Sequence, residues 1–150
     1  MTLRETIDNQ IKVAMLKRDQ RRLDTLRMVK AKLLEKEVEK RVTTGGINTE
    51  DEMQVLLSSA KMRKEAIEEF EKAGRKDLAD KERAELEIIQ EFLPKQMSRE
   101  EVVSFVNELA ARLGAQGQGD FAKLMSASMK ELRGKVDAKL VQEVVKAKLG

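Results

Sequence analysis

The sequence predicts an all-α protein, with long N-terminal helices forming a helical hairpin array and a small three-helix bundle at the C-terminus. Three observations carry that expectation. Ala, Leu, Glu, Lys, Arg, Gln and Met dominate the chain, and all are strong helix formers. One proline and no tryptophan or tyrosine leave few of the aromatics that strands favour. Finally, three stretches carry capping-box spacing, a hydroxyl residue followed three positions later by glutamate. They are Thr2 with Glu5, Thr49 with Glu52, and Ser98 with Glu101, each just ahead of an apolar-periodic segment.

The elements follow in order. A first helix is expected over about residues 3 to 17, with Leu3, Ile7, Ile11 and Ala14 on one stripe. Asp19 caps a long second helix ending near Arg41, with Leu23, Leu26, Val29, Leu33 and Leu34 on its inner side. Thr43 to Gly46 form a loop. A third helix runs from about Glu50 to Lys72, with Val55, Leu56, Ser59, Met62, Ala66 and Phe70 inward, and Gly74 closes it. Asp77 caps a fourth helix carrying Ala84, Leu86, Ile88, Ile89 and Leu93, which Pro94 ends. The stretch from Pro94 to Met97 marks a boundary between two domains, 1–94 and 95–150. Beyond it, one helix spans residues 99 to 113, a second residues 121 to 132 behind Asp120, and a third residues 138 to 149 behind Asp137. Gly134 closes the second of these. The four phenylalanines fall at apolar-periodic positions and read as core.

Composition removes several classes of chemistry. Cysteine and histidine are both absent, so there is no thiol nucleophile, no Ser-His-Asp triad, no histidine or cysteine metal site and no imidazole base. Carboxylate groupings exist, such as Glu68, Glu69 and Glu71 or Asp77 and Asp80. They lie in strongly polar segments beside Lys72, Arg75 and Lys76, not in the buried setting that splits carboxyl pKa values for catalysis. Gly114, Gly117 and Gly119 follow a helix and lack the Gly-Lys-Ser/Thr ending of a phosphate loop. No catalytic residue, metal site or cofactor is expected. No apolar run has the length of a signal peptide or membrane span, and a cytoplasmic protein is the expectation.

Charge is unevenly distributed. The net charge is +3 over the whole chain. Residues 121 to 150 hold 7 basic against 3 acidic side chains, and residues 42 to 94 hold 8 against 13. Lys130, Arg133, Lys135 and Lys139 gather around Gly134, with Lys123 earlier in the helix that carries Lys130. Such a set either presents cations and helix N-terminal amides to a phosphate, or is a solvated surface around an ordinary pair of helix caps. Asp137 competes for those same amides. A second candidate is a stripe on the long helix, where Lys32, Lys36 and Lys40 recur every four residues downstream of Arg27. It could follow an RNA backbone or be a wet face, since Glu35 and Glu39 stand nearby. No aromatic interleaving supports base stacking.

Two stretches carry a family resemblance. One is EFEKAGRKDLADKERAELEIIQEFLPKQMS, residues 69 to 98, with RMVKA at residues 27 to 31 upstream. The other is the tail, with its glycine-rich loop, GKVD at residues 134 to 137 and a closing amphipathic helix. Together they resemble the YqeY-like family. The tail is similar to the GatB/YqeY domain that ends the B subunit of glutamine-dependent aminoacyl-tRNA amidotransferase. The family pattern at the tail turn is Gly-Lys/Arg-Ala-Asp, and Val136 replaces the alanine here. The resemblance implies a tRNA-holding accessory domain, of a kind also appended to glutaminyl-tRNA synthetases. The larger enzyme's activity, carbon-nitrogen ligation with glutamine as amido-N-donor, resides in parts this chain lacks. The expected function is therefore non-catalytic binding of tRNA, in association with an aminoacyl-tRNA synthetase or amidotransferase. The alternative is a helical protein-protein adaptor with no nucleic-acid role.

Overall fold

The computed structural model describes residues 2 to 150. Among them are seven α-helices: α1 (Leu3–Lys17), α2 (Gln20–Thr44), α3 (Thr49–Lys72), α4 (Lys76–Gln90), α5 (Arg99–Leu113), α6 (Phe121–Leu132) and α7 (Ala138–Leu149). A single 3-10 turn, Gln118–Asp120, precedes α6, and no strand is present among the described residues. The chain divides into two compact units, one reaching to Leu93 and the other Pro94–Gly150.

The first unit packs α1 to α4 around one core. Ile7 and Ala14 come from α1, Leu23, Leu26, Val29 and Leu33 from α2, Leu56 and Ala60 from α3, and Ile88 and Ile89 from α4. On α1 to α3 these positions are spaced by threes, fours and sevens, so each of those helices buries one stripe, and α4 adds the adjacent pair Ile88 and Ile89. The α1–α2 junction is short. Arg18 takes a left-handed conformation at φ +56°, the one non-glycine with positive φ among the described residues. It lets the Asp19 amide reach back to the Ala14 carbonyl at 3.0 Å, while the Asp19 carboxylate accepts from the Arg22 amide at 3.2 Å. A side-chain cap and a helix closure are thus made by adjacent residues, and α2 can turn straight back along α1.

The second unit is a three-helix bundle. Val102, Val106, Leu109 and Ala110 of α5 meet Leu124 and Leu132 of α6 and Val141, Val144, Val145 and Leu149 of α7. Its first helix has the complete capping box predicted for it. Ser98 Oγ accepts from the Glu101 amide, and Glu101 accepts from the Ser98 amide, each at 3.2 Å. The bond from the Ser98 amide holds the exposed Glu101 carboxyl below its ordinary value.

Several local expectations are corrected. The α3 cap is Asn48, not Thr49. Asn48 Oδ1 accepts from the Asp51 amide at 2.8 Å and Asp51 Oδ2 accepts from the Asn48 amide at 3.1 Å, a capping box one register earlier. Glu52 is left without that role, and partial burial pushes its carboxyl pKa up. Asp77 does not cap α4. Arg75 occupies the cap position without a side-chain bond, and Asp77 sits inside the first turn, paired with the Arg75 guanidinium at 3.1 Å. Asp120 stands at the α6 cap but closes the preceding loop instead, accepting from the Gln116 amide at 2.7 Å. Helix α2 continues past Arg41 to Thr44, and α4 stops at Gln90, well before Pro94. The amides of Glu91, Phe92 and Leu93 already turn to carbonyls three residues back. Met62 is exposed rather than inward. The four phenylalanines are half-buried at the core margins rather than enclosed.

Candidate nucleic-acid interface

The basic segment of the tail is built by the tight connection from α6 to α7. Arg133 leaves the helix in an extended conformation, and its amide still reaches the Met129 carbonyl at 3.1 Å. Gly134 follows at φ +83°, where a side chain would be strained. The chain then reverses, with the Lys135 amide on the Leu132 carbonyl at 2.9 Å and a single bridge between Arg133 and Val136. Four residues consequently alternate. Gly134 and Val136 are buried, while Arg133 and Lys135 are exposed. Val136, the departure from the family pattern, adds its side chain to the bundle core.

Lys130 projects from the last turn of α6 and Lys139 from the first turn of α7, both exposed. Among the described residues no carboxylate pairs with Lys130, Lys135 or Lys139. Helical spacing explains this. Lys130 has Ser126 and Ala127 behind it and Arg133 and Gly134 ahead. The one acid at helical distance from Lys139 is Glu143, and it is taken by Arg99 at 3.4 Å. Asp137 turns inward on its own helix and accepts from the Lys139 amide at 3.0 Å. The Lys139 amide is thereby capped from within, and the turn offers side-chain cations with one helix-start amide fewer. Lys123 stands two helical turns before Lys130, roughly 10 Å along the axis. Its Nζ donates to the Leu113 carbonyl at 3.4 Å, at the C-terminal end of α5.

The second stripe has a different environment. Lys32 lies 3.3 Å from Glu35, Lys36 lies 3.7 Å from Glu39, and Lys40 lies 3.6 Å from Asp51. Each lysine of the stripe has its own carboxylate, and only Arg27 at its upstream end stands exposed with no acid paired to it. Of the carboxylate groupings, Glu71, Asp77 and Asp80 are likewise engaged. Arg75 holds Asp77, and Arg83 holds both Glu71 and Asp80. Among the described residues, no group of three acidic side chains is placed to hold a metal ion. Among the described residues, no helix is long and apolar enough to cross a membrane.

Sequence reasoning missed what supports the turn. The segment Pro94 to Met97 does not run free past it. Gln96 Nε2 donates to the Gly134 carbonyl and to the Pro94 carbonyl, each at 2.8 Å. The Met97 amide donates to the Lys135 carbonyl at 2.8 Å. Gln96 and Gly134 are 38 residues apart in sequence, and no local pattern announces their bond.

With that geometry in place, comparison with known proteins decides the kinship. The chain matches the family described as Yqey-like protein over residues 4 to 149. It belongs to that family. A Schizosaccharomyces pombe relative, Uncharacterized protein C22F3.15, is 46% identical over 48 residues, covering 32% of this chain and 39% of the relative. The match thus spans well under half of that relative's length, and its printed description assigns no activity. Members of the Yqey-like family are matched here across both units, so the basic turn and the capped bundle that carries it lie inside the family region.

Proposed function

We propose that this Yqey-like chain is a non-catalytic, cytoplasmic protein that binds structured RNA, with tRNA as the expected ligand. Lys130, Lys135 and Lys139 make the main contacts, together with Arg133 at the same turn. One observation carries the reading: three exposed lysines gather at a tight turn and no carboxylate among the described residues pairs with them. Phosphate recognition needs no more than that, and it fixes position without reading bases. Lys123 extends the surface along α6. The lysine stripe on α2 contributes little, because its lysines are already compensated. The tRNA assignment takes its support from the kinship of the tail with tRNA-holding domains. A tRNA synthetase or amidotransferase fits as the protein partner for the same reason.

The test is a salt titration of the full chain against unfractionated tRNA. Three to four phosphate contacts predict a log-log slope of about −3. Absence of binding at low salt rejects the reading. A second reading, a helical adaptor, is favoured by the exposed apolar side chains Val13, Met15 and Leu16 on α1 and Val38 and Val42 on α2. It predicts protein association that survives high salt and no affinity for RNA.

A further inference from the structure

We propose that Gln96 is a positioning residue for the basic turn, an inference that rests on the RNA-binding reading of that turn. A side-chain amide nitrogen carries two donors, and both are used here on main-chain carbonyls. One belongs to Gly134, at the centre of the turn, and the other to Pro94, next to Gln96 in the chain. The bond from the Met97 amide to the Lys135 carbonyl lies alongside. Two successive peptide planes, those after Gly134 and Lys135, are therefore held from outside the turn. That restraint falls where the turn is softest, since glycine has the widest conformational freedom of any residue. Held there, Arg133 and Lys135 point to solvent while Gly134 and Val136 stay buried. Released, the same cations have to be ordered at the moment of binding, and affinity falls by that cost.

The experiment uses the full chain and unfractionated tRNA. Gln96→Met keeps the length of the side chain and removes both donors, and Gln96→Ala serves as a second variant. Each is measured alone and combined with Lys135→Ala, beside amide hydrogen exchange of Met97 and Lys135 in the free protein. The inference expects faster exchange at both amides with unchanged helix content. It expects binding about tenfold weaker in Gln96→Met, the size expected from two lost hydrogen bonds. The loss caused by Lys135→Ala should shrink to less than about twofold in the Gln96 background, because coupled sites are not additive. Additive losses, or faster exchange with unchanged affinity, overturn the positioning role and leave the RNA reading standing. A wild-type chain that binds no tRNA overturns the RNA reading, and the positioning role toward RNA falls with it. Unchanged exchange in both variants shows that the turn is rigid without Gln96 and overturns the inference by itself.

Discussion

The lysine stripe of α2 and the basic turn between α6 and α7 look alike as strings of residues and differ in their surroundings. On α2, a spacing of four that aligns Lys32, Lys36 and Lys40 also leaves room for Glu35 and Glu39 at three residues from a lysine. Two of the three ion pairs are of that kind, and Asp51 from α3 supplies the third. In the tail, the cations sit where a helix has just ended or just begun. Few positions at helical distance from Lys130 and Lys139 exist there, and the one acid among them, Glu143, is already engaged. A basic surface is thus defined less by how many cations it has than by whether the local geometry lets acids reach them. Exposed pairs of the α2 type contribute little stability, about 0–1 kcal/mol each, yet they remove the field a polyanion would feel.

The contrast can be broken or sharpened experimentally. The largest effect should come from the scaffold. Leu124 is fully buried in the tail bundle, and Leu124→Ala should cost about 2–5 kcal/mol of bundle stability in chemical denaturation. Probes in the first unit, whose core is separate, should report little change. Next is the Lys130, Arg133, Lys135 and Lys139 quadruple alanine variant. It should lower tRNA affinity by roughly a hundredfold at low salt and flatten the salt slope by about one per lost phosphate contact, with helix content unchanged. Ser128 is a smaller and opposite case. Its hydroxyl is fully buried in α6 with no hydrogen-bond partner, so Ser128→Ala should raise stability by up to about 1 kcal/mol. On α2, Lys32→Ala or Lys36→Ala should change tRNA affinity less than about twofold, and a tail-sized loss there would erase the contrast.

The weakest effect is one of pH. Glu101 has a carboxyl pKa below its ordinary value of 4.5, so its capping contribution is fully present above that value. It is lost as pH falls through the depressed pKa, because the unfolded chain then binds the proton more readily. Acid titration of the bundle should therefore show a stability loss below about pH 4.5 that is flatter in Glu101→Gln.

Much of the fold was legible because it is written locally. Helices α1, α5, α6 and α7 begin and end where caps and periodicity place them. The errors arose where two local readings competed. Thr49 with Glu52 and Asn48 with Asp51 offer the same spacing one residue apart, and the earlier frame wins because Asp51 also reaches Lys40 across to α2. Asp77 and Asp120 have the composition of caps, but a neighbouring guanidinium and a loop amide claim them first. In the candidate interface, the cations themselves were visible in sequence, and the freedom of Lys130 from acids could be inferred from its helical neighbours. The grip of Gln96 on Gly134 was not, since it joins residues far apart in the chain through main-chain carbonyls that every residue possesses.

The inward-turned Asp137 has a further consequence. Because it occupies the Lys139 amide in the first turn of α7, the turn has one oriented donor fewer with which one phosphate could be preferred over another. What stands out is a small raft of exposed ammonium groups, responsive chiefly to the density of negative charge. Under the RNA reading, tRNAs of different anticodon should then displace one another freely, and any selectivity among them has to be brought by whatever second macromolecule the complex includes.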